Sequence, residues 1–278
     1  MSDRQALAAA CAVAAELGLP CERAAVISSG SNVLVHLRPA PVVARVMTGT
    51  VVLHEDPRRW LEHEVAVLRF LAPSGLAVAP SPLVDPGPYR SDGLWMTLCE
   101  WVEDLGATDL EGGAERLGGA LRELHDELSG FAGELPDLVD LRDDVLRLHR
   151  QLRPTADLSA ERIEALRARV HELDETVFGA SWPVQALHGD ASLSNLFSRA
   201  GRLVWNDFED TFRGPVHWDL AGYLMSLEFR GADPAFVAAA LDAYGGIEAA
   251  ELAPFTAVHE VYGEIWGAYD AQRRSSAM

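Results

Sequence analysis

Positive charge, cysteine and long apolar runs are all scarce in this chain of 278 residues. Lysine and arginine together number 23 against 42 acidic residues, a formal net charge of −19 at pH 7. The surface as a whole therefore repels nucleic acid and anionic membranes, over the distance that salt screening allows. Cationic ligands are favoured, and any phosphate has to be met by a local exception. Cys11, Cys21 and Cys99 are too few and too scattered for a disulfide framework or a zinc site, which fits a reducing cytosol and a cytoplasmic protein. No run of about 18 uncharged apolar residues occurs, so no membrane span is expected. The Ala-rich start, Ala6 to Leu17, follows Asp3, reaches Glu16 and lacks a basic leader, so it reads as an N-terminal helix and not as a signal peptide.

What is present is ordinary for a folded protein, 49% hydrophobic and 23% charged. The length exceeds one comfortable core, which favours two lobes or one large α/β domain. Short β-rich runs over 32–37 and 42–46, split by Pro39-Ala40-Pro41, read as a hairpin-like pair. A helix is expected over 57–71, where Leu61, Val65, Leu68 and Leu71 recur at helical spacing until Pro73 and Gly75 stop it. After a Pro-rich connection and an apolar strand over 94–101, the charged pair Glu103-Asp104 marks a lobe boundary, giving lobes of 1–102 and 103–278. Beyond it the period turns helical, with Leu117, Leu121, Leu124 and Leu128 on one face and Leu141, Val145, Leu148 and Leu152 on another. Further helices are expected over 218–227, 234–244 and 254–274.

Between those helices lies the densest chemistry, LHGDASLSNLFSRAGRLVWNDFEDTFRGPVHWDLA from Leu187 to Ala221. If Leu196-Phe197 pairs with Leu203-Val204 across a turn at Ala200-Gly201, Asn195 and Asp207 emerge at the same end of the ladder. An amide oxygen, a carboxylate and phosphate oxygens together suit Mg²⁺, which takes few protein ligands. Each residue taken singly reads as a turn or cap. The ordered set, D-x4-N, a strand turn, D-F and then W-D-L, is more specific.

His188-Gly189-Asp190, Asn195 and Asp207-Phe208-Glu209, followed by Gly214-Pro215-Val216-His217-Trp218-Asp219-Leu220-Ala221, resemble the aminoglycoside phosphotransferase-like family of small-molecule kinases. The resemblance is strongest over 187–221. It implies an α+β fold of protein-kinase type, with a small β-rich first lobe and a larger, mainly helical second lobe. His188-Gly189-Asp190 and Asn195 are similar to the H-x-D-x4-N catalytic loop, and Asp207-Phe208-Glu209 stands where protein kinases carry D-F-G. The implied activity is phosphoryl transfer from ATP, with GTP as the alternative donor, to a hydroxyl of a small molecule. Asp190 then receives the acceptor's proton, Asn195 and Asp207 hold Mg²⁺, and His188 orients the loop. Asp219 either braces that loop through backbone N–H groups or caps a helix.

In the first lobe the resemblance implies a strand cation paired with a helix glutamate. Arg45 stands at the strand position, where the family usually has lysine, and Glu64 points along the apolar face of its helix, where a lone carboxylate is costly. Ser29, Gly30, Ser31 and Asn32 match the phosphate loop. Glu100 and Val102 lie in the interlobe linker that meets the adenine edge, Val43 roofs the base and Phe197 floors it, with the polar Asn206 in place of an apolar residue. For the acceptor, Glu209 and Asp210 beside the metal position, and Glu260 and Glu264 on the last helix, are the expected contacts, although i,i+4 acids commonly mark a solvated face. The commonest role in the family is antibiotic resistance. A metabolic kinase of a sugar, amino alcohol or homoserine-like metabolite would carry the same motifs, and a nucleotide-binding protein without transfer activity is the other class. A monomer or weak homodimer is expected.

Overall fold

In the computed structural model, which describes residues 2–52, 56–103 and 106–276, the chain divides into two units. The first is Met1–Ala107 with Leu196–Asp210, and the second is Thr108–Asn195 with Thr211–Met278. The architecture is α+β, as expected, with an antiparallel sheet in the first unit and mostly helices in the second.

The first unit contains α1 (Asp3–Glu16), β1 (Ala25–Ser29), β2 (Asn32–His36), β3 (Val42–Met47), α2 (Pro57–Leu71), β4 (Tyr89–Ser91) and β5 (Leu94–Glu100). The strands form one antiparallel sheet in the order β1-β2-β3-β5-β4, so β3 is central and all six of its residues are buried. Period-two alternation splits the sheet into two working faces. Val33, Val35, Val42, Ala44, Val46, Met96 and Leu98 pack on Ala6, Ala9, Ala10, Val13 and Ala14 of α1. The small alanines present little bulk between helix and strands. Arg45, one residue out of phase with Ala44 and Val46, is sent to the opposite face, in register with Leu34 on β2 and Thr97 on β5.

α2 begins where Asp56 accepts from the Arg58 and Arg59 N–H groups and Pro57 occupies the first turn, a standard start signal. Its buried face carries Leu61, Val65, Leu68 and Leu71, and Glu64 shares that face.

β6 (Gly106–Ala107), β8 (Leu196–Arg199) and β9 (Arg202–Trp205) form a second small sheet of the first unit. β8 and β9 pair in the expected register, Leu196 with Trp205 and Phe197 with Val204. The turn residues Ala200 and Gly201 have φ of 48° and 82°, the positive-φ pair that a two-residue turn of matching twist requires. The lobe division expected after Val102 falls five residues later. It also leaves 196–210 with the first unit, because Trp205 N–H donates to Leu76 O (2.8 Å) and Trp205 O accepts from Val78 N–H (2.9 Å).

The second unit holds α3 (Ala114–Leu128), α4 (Leu138–His149), α5 (Ala160–Glu172), α6 (His217–Phe229), α7 (Pro234–Tyr244) and α8 (Ala249–Ser276). A two-stranded ladder pairs β7 (Gln185–Leu187) with β10 (Phe212–Gly214). α3 and α7 approach so closely at Gly118 that a Cβ there would lie 2.0 Å from Ala240 O. α8 starts five residues before the expected Pro254, which lies inside it. No helix among the described residues is long and apolar enough to cross a membrane.

Candidate active site

In the first unit the open face of the sheet is organised around Arg45, which is 7% exposed. Its Nε and NH2 groups donate to the two oxygens of Glu64 at 3.1 and 2.5 Å, a bidentate fork. Its NH1 donates to Glu209 Oε2 at 2.6 Å and lies 3.9 Å from Asp207 Oδ1. Glu209 Oε2 also accepts from Asn32 Nδ2 (2.8 Å) and lies 3.1 Å from the Thr50 hydroxyl, which is 3.0 Å from Asn32 Oδ1. Thr97 Oγ1 adds a contact to Glu64 at 3.4 Å. Burial alone would lower the Arg45 pKa, but the Glu64, Glu209 and Asp207 carboxylates hold it charged, well above the ordinary arginine value. Burial pushes Glu64 upward while the guanidinium pulls it down.

One guanidinium thus meets three carboxylates, and the surplus is negative. Asp207 carries the clearest sign of a missing partner. Its Oδ1 is buried and accepts no hydrogen bond among the described residues, and burial pushes its pKa up. Its backbone is at φ 66°, the left-handed region that non-glycine residues seldom adopt. An orphaned carboxylate oxygen beside an excess of negative charge fits a divalent cation. Among the described residues no group of three or more His, Cys, Asp or Glu side chains could hold a metal by itself. A hard cation completed by phosphate oxygens is the type this donor set suits.

Beside the cluster is a cavity of about 430 Å³ in the same unit, lined by apolar residues with Glu100 and Asn206. Val43, Glu100, Val102 and Phe197, each expected around a base, all line it, as do Trp101 and Cys99. Trp101 is fixed by stacking on His36, ring centroids 4.0 Å apart. Burial raises the Cys99 thiol to about 12, which keeps it a packing residue.

The phosphate-loop residues behave unequally. Gly30 has open space around its Cα, and Ser31 lends its carbonyl to Gly49 N–H at 2.7 Å. The Ser29 hydroxyl donates to Asp3 Oδ1 of α1 at 2.7 Å, and the Asn32 amide is committed to Glu209 and Thr50. Asn32 is therefore part of the buried cluster, a correction to its expected place at a phosphate.

In the second unit the segment from Leu187 to Asp190 is gripped from several sides. Asp219, 1% exposed, accepts from His188 N–H (2.8 Å) and His125 Nε2 (3.0 Å) at Oδ2, and from Gly189 N–H (2.9 Å) at Oδ1. Trp218 Nε1 donates to Gly189 O at 2.9 Å, and the Thr211 hydroxyl donates to Leu187 O at 2.7 Å. Gly189 has φ 90°, open to glycine because it lacks a Cβ. Of the two roles open to Asp219, the geometry is that of a brace, and α6 has no side-chain cap. Burial would raise its pKa, yet the His125 hydrogen bond and charge, with His188, hold it below the ordinary carboxylate value.

Downstream of that grip, Asp190 is exposed, and its Oδ2 and backbone O both accept from Asn195 Nδ2 at 2.9 Å. This fixes the amide orientation and leaves Asn195 Oδ1 as its remaining acceptor. The His188 ring, fully buried, takes the Asp190 N–H on Nδ1 at 3.3 Å, the loop-orienting part expected of it. A cavity of about 360 Å³ beside Asp190 is lined by Ser192, Gly222, Met225, Phe229 and His259 among others.

Two expected acceptor contacts lie elsewhere. Glu209 is 6% exposed and its Oε2 meets Arg45, Asn32 and Thr50, so it faces the interior of the first unit. Glu264 forms a bidentate pair with Arg162 (2.7 and 2.5 Å) and lines a separate cavity with Arg153 and Gln272, not the one beside Asp190. Glu260 is exposed on α8 and Asp210 is half-buried. Two residues were missed from sequence. His125 bonds Asp219 through one ring nitrogen and the Tyr244 hydroxyl (2.8 Å) through the other, and Thr50 completes the Arg45 cluster.

Residues 24–255 match the family described as phosphotransferase enzyme family, APH. The chain belongs to this family. Fold comparison agrees across nearly the whole phosphotransferase. The choline kinase LicA from Streptococcus pneumoniae superposes with a TM-score of 0.67 at 16% identity, over 90% of this chain and 86% of that one. An aminoglycoside-3'-phosphotransferase of type VIII gives 0.66 at 22%, over 91% and 98%. The amicoumacin kinase hAmiN, solved in complex with AMP-PNP, Ca²⁺ and Ami, gives 0.70 at 12%, over 89% and 81%. No curated protein sequence matches the chain. The family match makes the protein a phosphotransferase, and the solved structures show that it shares their fold.

Proposed function

We propose that this phosphotransferase moves the γ-phosphoryl group of ATP to a hydroxyl of a small, cationic molecule, an antibiotic-like acceptor, in the cytoplasm. The observation that carries the reading is the braced loop of the second unit, which presents an exposed Asp190 carboxylate with its amide partner Asn195. The net charge of −19 favours a cationic acceptor. Solved structures of the same fold are named as a choline kinase, an amicoumacin kinase and an aminoglycoside phosphotransferase, so the acceptor panel must span these classes.

In this mechanism the acceptor hydroxyl donates to Asp190. As its oxygen forms the new bond to the γ-phosphorus, the bond from that phosphorus to the β,γ-bridging oxygen breaks, ADP departs, and the hydroxyl proton passes to Asp190. Asp219 keeps the loop in the geometry that aims this carboxylate, acting through backbone N–H groups. The guanidinium of Arg45 has five N–H donors and uses three in the hydrogen bonds described. One on NH1 and one on NH2 remain for phosphate oxygens. Val43 and Phe197 enclose the base, and Gly30 and Ser31 offer backbone to the phosphates. Asp207 would hold Mg²⁺, which when bound would neutralise charge on the phosphates.

Incubation with ATP, Mg²⁺ and a panel of aminoglycosides, peptide and macrolide antibiotics, choline-like alcohols and sugars, followed by mass detection of phosphorylated products, tests the reading. A phosphorylated product among the cationic antibiotics supports it. Phosphorylation confined to neutral sugars would refute the cationic acceptor, and no product with any class would refute the transfer.

A further inference from the structure

The Arg45 cluster contains a residue whose place the reaction as described does not require. Glu209 follows Asp207-Phe208 at the position where the protein-kinase motif has glycine, which can supply no carboxylate. Here it sends a carboxylate back into the sheet, 6% exposed, onto Arg45 NH1 at 2.6 Å. The contact is built. Asn32 Nδ2 and the Thr50 hydroxyl meet the same Oε2 at 2.8 and 3.1 Å, so the Glu209 rotamer is set from β2 and from the segment after β3. Arg45 is meanwhile held by Glu64 on its other edge.

A guanidinium differs from an ammonium in having two donor edges in one rigid plane. Glu64 alone holds one edge, and the forked pair can still rock as a unit. A second carboxylate on NH1 removes that freedom and decides where the two spare N–H groups point. A lysine in the same strand position ends in one nitrogen and cannot occupy both edges. The absence of any lysine in the chain is consistent with this.

We infer that Glu209 is a positioning residue that locks the Arg45 guanidinium for nucleotide phosphates, so that arginine at position 45 and glutamate at 209 work as a matched pair. This rests on the nucleotide-binding part of the function proposed above, and the test separates the two.

The readout is calorimetric affinity for Mg²⁺–AMP-PNP, which needs no acceptor, with thermal unfolding run in parallel. Glu209→Ala weakens binding by at least about tenfold, the scale of one lost charged hydrogen bond. Glu209→Gln keeps the size and an acceptor oxygen for NH1 and lies between the two; should the alanine variant fail to fold, the comparison rests on it. The decisive variant is Arg45→Lys combined with Glu209→Gly. Its affinity loss is smaller than the product of the two single losses, because each single change strands the other partner. A merely structural Glu209 would lower the unfolding temperature and leave the affinity of the folded protein unchanged, and that result overturns the inference. Multiplicative losses in the double variant overturn the pairing. If the wild-type protein itself does not bind Mg²⁺–AMP-PNP, the proposed function falls, and the inference with it.

Discussion

Replacing Asp219 by asparagine probes the brace without changing its shape. Oδ1 serves Gly189 N–H, while Oδ2 serves His188 N–H and His125 Nε2. The amide's best choice is to put its NH₂ at the Oδ1 position, sacrificing one bond to keep two. Gly189 N–H is then buried against another donor, at about 1–3 kcal/mol for an unsatisfied group, and each surviving bond loses about 1 kcal/mol of charge assistance. The sum is about 3–5 kcal/mol, which at about 2–4 °C per kcal/mol lowers the unfolding temperature by roughly 6–20 °C. Differential scanning calorimetry at pH 7 measures it. A fall of less than about 2 °C would show that the carboxylate does not hold the loop.

The sign of the pH dependence follows from the same carboxylate. Its folded pKa lies below the ordinary 3.8, so its contribution is fully present above that value and is lost as pH falls through the lower folded pKa. The carboxylate's own titration therefore reduces the difference between wild type and Asp219→Asn only as pH falls below about 4.

Asp190→Asn is expected to lower kcat by about 10²–10⁴ with whichever acceptor the panel identifies, the usual span for a lost general base, while calorimetric affinity for AMP-PNP is unchanged. Chelating divalent ions should weaken AMP-PNP binding at least about tenfold, and equal affinity with EDTA and with Mg²⁺ would remove Asp207 from the metal assignment. Gly118→Ala should destabilise by about 1–3 kcal/mol or more, seen in urea unfolding, since its Cβ would fall 2.0 Å from the Ala240 carbonyl.

Much of this was legible because local periodicity carries it. Alternation along 42–46 places Arg45 opposite in sense to Ala44 and Val46, and helical spacing over 57–71 places Glu64 on the buried face; the two meet in the structure. The hairpin register follows from a two-residue turn, and Val43, Phe197, Glu100 and Val102 gather in one cavity. What stayed hidden depends on distance in the chain. His125 lies 94 residues from Asp219 and, in its own helix, reads as an ordinary last-turn histidine. Glu209 was expected to contact the acceptor because nothing within its own segment pairs with it; its partners are 164 and 177 residues away. Pro254 looked like a helix start because proline is commonest there, yet α8 carries it inside.

The charge balance gives these particulars a common cause. A protein with a net charge of −19 has to bind a polyanion, and at the centre of its sheet it offers one guanidinium surrounded by Glu64, Asp207 and Glu209. With two carboxylates in hydrogen-bonded contact, Arg45 alone cannot attract the phosphates, and its part is reduced to orienting them. Under the proposed function the attraction has to arrive with the ligand, as a divalent ion for which the orphaned Asp207 oxygen is the proposed acceptor. Glu209 then has a use that its charge alone would argue against. It adds repulsion, but it fixes the direction of the two spare N–H groups, and where a metal supplies the neutralisation, direction is the scarcer contribution.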